Sequence, residues 1–209
     1  TSIALRLPFV CFVTLALATA QEAATAGWSP AQQKGCAFLL QHQKAGVFSV
    51  TMRGRSFPDP GFTALALAAL QSKPAAARTA DEQQVIDAGM KWLVGGQNAD
   101  GSFGQNVLNY TTCAVVMALA RWPGEGAKDA LAKAQKFVLG IQYSEQNGHS
   151  ASDVEYGGVG YGSKGERADL SNLQFAVAAL RESGLPADHD AFARAVLFLQ
   201  RTQNLKSAN

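Results

Sequence analysis

The stretch Trp92-Leu-Val-Gly-Gly-Gln97-Asn-Ala-Asp-Gly-Ser-Phe103 decides how this chain folds. It joins an aromatic residue, a Gln five positions later, and a Gly turn that ends on a second aromatic. Three other segments repeat its first half: Phe38-Leu-Leu-Gln-His-Gln43, Phe137-Val-Leu-Gly-Ile-Gln142 and Phe198-Leu-Gln-Arg-Thr-Gln203. The Gly turn also recurs, as Lys44-Ala-Gly-Val-Phe48 and, after an insertion, as Tyr156-Gly-Gly-Val-Gly-Tyr161. A unit returning roughly every 50 residues is the signature of a helical repeat.

Each aromatic is preceded by a helix-type stretch with a signalled start. Ser29-Pro30 supplies an N-cap and a first-turn Pro, Asp81 and Glu82 place acids in a first turn, and Asp188 precedes the run from Ala191 to Val196. After each Gly turn comes a second, more apolar helix: Phe62 to Leu70, Thr111 to Leu119 and Asn172 to Leu180. These are Ala-rich and apolar around most of their circumference, which suits burial on two sides. The first helix of each unit is more polar and is expected to form an outer layer. The Gln is expected to bond helix-end groups, because the last carbonyls of one helix and the first amides of the next lack partners and a carboxamide serves both. The aromatic beyond the turn would then stack on it. Beyond a short alternation around Val47 to Met52 no strand pattern competes, and the reading is all-α.

With 209 residues and 47% hydrophobic content the chain has enough material for one domain with a substantial core. Eighteen basic against sixteen acidic residues leave a net charge of +2 with no basic run, which argues against a nucleic-acid partner. Residues 1–20 read as a secretory signal: Arg6 is the only charge, an apolar run from Phe9 to Ala18 follows, and Ala18-Thr19-Ala20 is a small-x-small cleavage site. The run is too short to span a membrane comfortably. The chain is therefore expected to be exported, to the periplasm or beyond the cell, with no transmembrane segment after cleavage. Of the three Cys, Cys11 falls in the signal, while Cys36 and Cys113 read as small buried hydrophobes, a disulfide being the alternative outside the cell. There is no CxxC pair, and His42, His149 and His189 stand in unrelated contexts, so neither zinc nor another cofactor is expected.

The order basic residue or Gly, aromatic-Leu, three residues, Gln, then Gly-x-aromatic resembles the Gln-Trp repeat of squalene-hopene cyclases and their prenyltransferase relatives. The resemblance spans residues 29–209, within a repeat domain of residues 21–209, and the copy from Trp92 to Phe103 matches best. It implies an α/α toroid of inner and outer helices, here a partial toroid of about three and a half hairpins, expected to be a fragment incomplete at its C-terminal side. In that family the chemistry occurs in a cavity lined by the N-terminal ends of the inner helices.

Those ends carry the candidate site. The family acid is the middle Asp of Asp-x-Asp-Asp-Thr, and the nearest match is Asp169-Leu170-Ser171-Asn172-Leu173. Asp169 matches the first position and is the one catalytic candidate, but Ser171 stands where the acid should be, and a hydroxyl cannot protonate an alkene. Helix capping explains Asp169 equally well. Asp59, Phe62, Asn109, Tyr110, Thr111, Tyr161, Ser171 and Asn172 are the expected cavity-lining residues. Zinc ligands of the prenyltransferase kind are missing, since Thr111 rather than Asp stands two residues before Cys113. Lys164 and Arg167 form the one basic pair near the rim, and Asp153, Glu155 and Glu166 are the one carboxylate group a sugar-cleaving enzyme would need. The resemblance therefore implies a terpene cyclase, mutase or prenyltransferase scaffold with its reaction unassigned. The alternative is a non-catalytic repeat protein that binds an apolar small molecule, a lipid or a protein on its concave face.

Overall fold

A computed structural model describes residues 28–162 and 166–203; the expected signal at residues 1–20 and Lys164 lie outside the described residues. Seven α-helices and one β-hairpin make up the described chain: α1 (Pro30–Gln41), β1 (Ser49–Met52), β2 (Arg55–Pro58), α2 (Pro60–Gln71), α3 (Ala80–Gly95), α4 (Leu108–Leu119), α5 (Ala127–Ile141), α6 (Leu170–Glu182) and α7 (Asp190–Thr202). The three apolar segments lie side by side in the order α2, α4, α6. The more polar helices flank them, α3 touching both α2 and α4, and α5 touching both α4 and α6. The central helix α4 is consequently buried from Thr111 to Val116, as its Ala, Val and Thr composition demands.

The helix starts follow local chemistry. Ser29 forms a capping box with Gln32, and Asp59 and Asp169 cap α2 and α6 through Phe62 N–H and Asn172 N–H, each at 2.8 Å. Asp81 and Glu82 lie in the first turn of α3 as expected, with Thr79 as the cap that pairs with Glu82. One start shifts: the Nδ1 of His189, the residue after Asp188, accepts from Ala191 N–H at 3.1 Å. Helix α4 has no side-chain cap; its Asn109 N–H reaches across to the Tyr161 carbonyl at 2.9 Å. The residue before it, Val107, stands at φ 45°, which costs a β-branched residue about 1–3 kcal/mol.

The repeated Gln plays a different part from the expected one. In the second copy Gln97 Nε2 donates to the carbonyls of Gly101 (3.0 Å) and Ala130 (2.9 Å). In the third, Gln142 Nε2 donates to Gly157 (3.0 Å) and Ala191 (2.9 Å). Each Gln thus clasps its own Gly turn to the first turn of the following outer helix. Only Gln43 bonds the end of its own helix, at Leu40 O, while accepting from Gly46 N–H at 2.7 Å. Three of the turn glycines, Gly46, Gly101 and Gly157, have φ of 78°, 91° and 84°. A Cβ at Gly101 would lie 2.4 Å from Lys133 O, and at Gly157 1.9 Å from Arg194 O. The turn therefore seats backbone against backbone on the next hairpin, a contact only glycine permits. The closing aromatics Phe48 and Phe103 are buried, and their N–H groups donate to the hydroxyls of Thr63 and Thr112 at 3.0 Å each.

The hairpin corrects the reading that no strand would form. Its register pairs Val50 with Phe57 and Met52 with Arg55, around a two-residue turn in which Arg53 and Gly54 both have positive φ. That is the primed turn whose twist matches the strands. The short alternation around Val47 to Met52 marks only the first strand; the second, Arg55–Pro58, has one large apolar residue, Phe57, and no alternation to read. Trp92, the aromatic of the best-matching copy, is not in the core but 37% exposed beside a cleft.

Away from the helix ends a buried ion pair joins three segments. Glu82 accepts from Lys73 Nζ at both oxygens (2.9 and 2.8 Å), from Thr79 N–H at 2.7 Å and from the Cys36 thiol at 3.3 Å. Burial works to raise its carboxyl pKa, but these bonds outweigh it and hold the group below the ordinary carboxylate value. The same burial and the neighbouring carboxylate push the Cys36 thiol up to about 11, so it stays protonated. Both Cys36 and Cys113 are buried and free. Because the folded pKa of Glu82 lies below its unfolded one, its stabilisation is present at neutral pH and is lost as pH falls through the carboxylate range. Glu82→Gln is expected to cost about 1–3 kcal/mol at neutral pH. In urea titrations that gap between variant and wild type should close below about pH 4; an equal gap at both pH values would refute the assignment.

Candidate functional site

The inner-helix N-termini gather at one end of the layer, and the expected residues divide there into two groups. The first joins α4 to α6. Asn109 Nδ2 donates to the main-chain and side-chain oxygens of Asn172, both at 2.9 Å, and Asn109 Oδ1 accepts from the Cys113 thiol at 3.1 Å. Asn172 Nδ2 in turn donates to Asp169 Oδ2 at 2.7 Å, while Asn172 N–H occupies Asp169 Oδ1. Both Asn residues are fully buried, so they bond each other between the helices and do not line open space. Each carboxylate oxygen of Asp169 is engaged by Asn172. The chain Asp169, Asn172, Asn109, Cys113 is a satisfied polar network of the kind that fixes helix register. With its thiol buried there, Cys113 has its pKa driven far up by desolvation.

Outside this network the surface is aromatic. Tyr110 hydroxyl hydrogen-bonds Ser171 Oγ, and its ring meets Tyr161 edge-on at 5.7 Å and Phe175 edge-on at 5.0 Å. Ser171 is thus a partner for the Tyr110 hydroxyl. Phe62 and Leu65, one helical turn apart on α2, are 58% and 48% exposed, and Leu170 at the start of α6 is 51% exposed. With the Tyr110 and Tyr161 rings these exposed side chains form an apolar, aromatic-edged surface on the layer of α2, α4 and α6.

The second group is smaller. Asp59 and Thr111 sit at the floor of a cleft of about 620 Å³ between the hairpin, the C-terminal end of α3 and the turn leading into α4. Asp59 makes no described hydrogen bond to Asp169 or Asn172, so the polar helix ends are joined between α4 and α6 but not to α2. The hairpin and Trp92 belong to this cleft and were not expected there.

The remaining loop carboxylates serve the turns. Asp100 Oδ1 accepts from Ser102 N–H (3.0 Å) and Oγ (2.6 Å), bonds that lower its pKa and close the repeat turn. In the third loop Asp153 accepts from Ser150 N–H at 2.7 Å, and Glu155 accepts from Ala168 N–H at 2.6 Å. The Glu166 carbonyl accepts from the Tyr143 hydroxyl, whose pKa is raised by burial and then by the charges of Glu155 and Glu166. Arg167 lies 3.9 Å from Glu155 with its side chain almost wholly exposed. Among the described residues no group of three His, Cys, Asp or Glu side chains could hold a metal ion, and no helix is long and apolar enough to cross a membrane. Comparison with protein-family models, with curated proteins and with solved structures finds no match for the chain.

Proposed function

We propose that this chain is an exported hairpin-repeat protein of the squalene-cyclase and prenyltransferase type, its hairpins forming an arc of an α/α toroid, and that it binds an apolar isoprenoid-like ligand on its inner face without acid-driven cyclisation. The observation that carries the reading is the pairing of an exposed apolar inner face, at Phe62, Leu65 and Leu170, with an Asp169 whose two oxygens are both engaged by Asn172. An alkene-protonating acid must aim a proton at substrate, and both Asp169 oxygens are turned to Asn172 instead. The aromatic rings of Tyr110 and Tyr161 at the helix ends suit contact with a hydrocarbon chain.

The test uses the whole chain with squalene and with a prenyl diphosphate. Saturable binding of squalene, unchanged substrate on recovery, and binding weakened about tenfold or more by Phe62→Ala with Leu65→Ala are expected. Formation of a cyclised or transferred product that Asp169→Asn abolishes would show Asp169 to be the acid and overturn the non-catalytic reading. No squalene binding, with both substrates returned unchanged, would remove the ligand assignment as well.

A further inference from the structure

The cleft beside the hairpin lies apart from the inner face: Phe62, Tyr110, Tyr161 and Ser171 take no part in its lining. Its walls come from three places. Val50, Met52 and Phe57 share one face of the hairpin, because alternate residues of a strand and their cross-strand partners point the same way. Trp92 stands on α3, and Val107 ends the turn before α4. A hairpin with one apolar face normally buries it, yet here Met52 is 63% and Phe57 46% exposed. Val107 also projects an exposed apolar side chain from a left-handed backbone position. Two rings, a thioether and two aliphatic groups therefore surround space that no part of the described chain fills.

The charge of the cleft selects its occupant. Asp59 is the only ionisable side chain among the lining residues; Arg55, opposite Met52 on the same hairpin face, is exposed and stands outside that lining. Its Oδ1 accepts from Phe62 N–H, and no described group bonds Oδ2. An anion would meet an uncompensated carboxylate there, and a neutral hydrocarbon would leave that carboxylate without a partner in an apolar setting. A cation is attracted both by the carboxylate and by the ring faces. The volume, about 620 Å³, falls in the range of small-molecule sites. We infer that this cleft is a binding site for a small organic cation, an alkylammonium with an apolar arm, held by the Asp59 carboxylate between the hairpin and Trp92.

The experiment titrates the full chain by calorimetry with benzyltrimethylammonium, its neutral isostere neopentylbenzene, and benzenesulfonate. The expected result is one-to-one binding of the cation with Kd below about 5 mM, at least about fivefold tighter than the neutral isostere, and no binding of the sulfonate. Asp59→Asn keeps the helix cap, since Asn caps as well as Asp, and should weaken the cation at least about fivefold without changing the melting temperature. Trp92→Ala should weaken both ligands, the cation more than the neutral isostere. Equal affinity for cation and isostere, wild-type affinity in Asp59→Asn, or no cation binding at all would overturn the assignment. Squalene affinity is read in parallel, so that failure of this site and failure of the inner-face reading give separate signals.

Discussion

Gly157→Ala is expected to destabilise the protein by about 2–5 kcal/mol, the largest effect of a methyl group added at any described glycine. Two costs combine. At φ 84° an L side chain is strained by about 1–2 kcal/mol. The added Cβ would also fall 1.9 Å from the Arg194 carbonyl, a rigid backbone atom of α7 that cannot swing aside. Either the turn lifts off α7 or the helix moves, and in both cases the bond from Gln142 to Ala191 is stretched. Urea denaturation would measure the loss. The control is Gly54→Ala, which has the same sign of φ (76°) but nothing near its Cβ, and should cost only the conformational part. If the two variants lost equal stability, backbone contact with α7 would not be what fixes Gly157.

The second large effect is expected at Gln142. Replacing it with Leu keeps the volume but removes a donor from the carbonyls of Gly157 and Ala191 and an acceptor from Arg194 Nε, which lies 3.2 Å away. The site is almost fully buried, so water cannot replace those bonds, and a cost of about 2–4 kcal/mol follows. Gln142→Glu is the sharper variant. It keeps the acceptor for Arg194 but puts carboxylate oxygens against two carbonyls, and should be at least as damaging at neutral pH and partly relieved when acid protonates it. A Leu variant within about 0.5 kcal/mol of wild type would mean that the clasp contributes nothing net.

Much of the architecture is legible in the residues alone. The Ala- and Leu-rich runs from Phe62 and Thr111 mark the inner helices because apolar residues all round a helix need neighbours on several sides. Asp59 and Asp169 announce their helix starts because a short acid before a helix has a free N–H to accept from. What escapes is whatever depends on residues distant in sequence. The partner of Gln97 is Ala130, in the next outer helix, and nothing near Gln97 names it. Helix α4 begins without a cap because Tyr161 supplies the acceptor from far along the chain. Asn109 and Asn172 were placed correctly at the helix ends, but residue type alone could not tell a side chain that faces a cavity from one that faces its twin. The hairpin was missed for a different reason. Its four-residue strands carry a weak periodic signal, and its decisive feature is the left-handed conformation of Arg53, which composition does not advertise.

The clasp also explains how the units can differ in length. Gln97 closes on a glycine four residues ahead, whereas Gln142 closes on one fifteen residues ahead, with the same bond lengths and the same contact to the following helix. Loop-closure entropy grows only logarithmically, so the longer loop costs about 1 kcal/mol more than the shorter. The exposed positions of that loop, among them Gln146 and Gly148, are therefore places where new sequence can enter with little effect on the scaffold. Evolution can write in that margin while the binding line stays sewn.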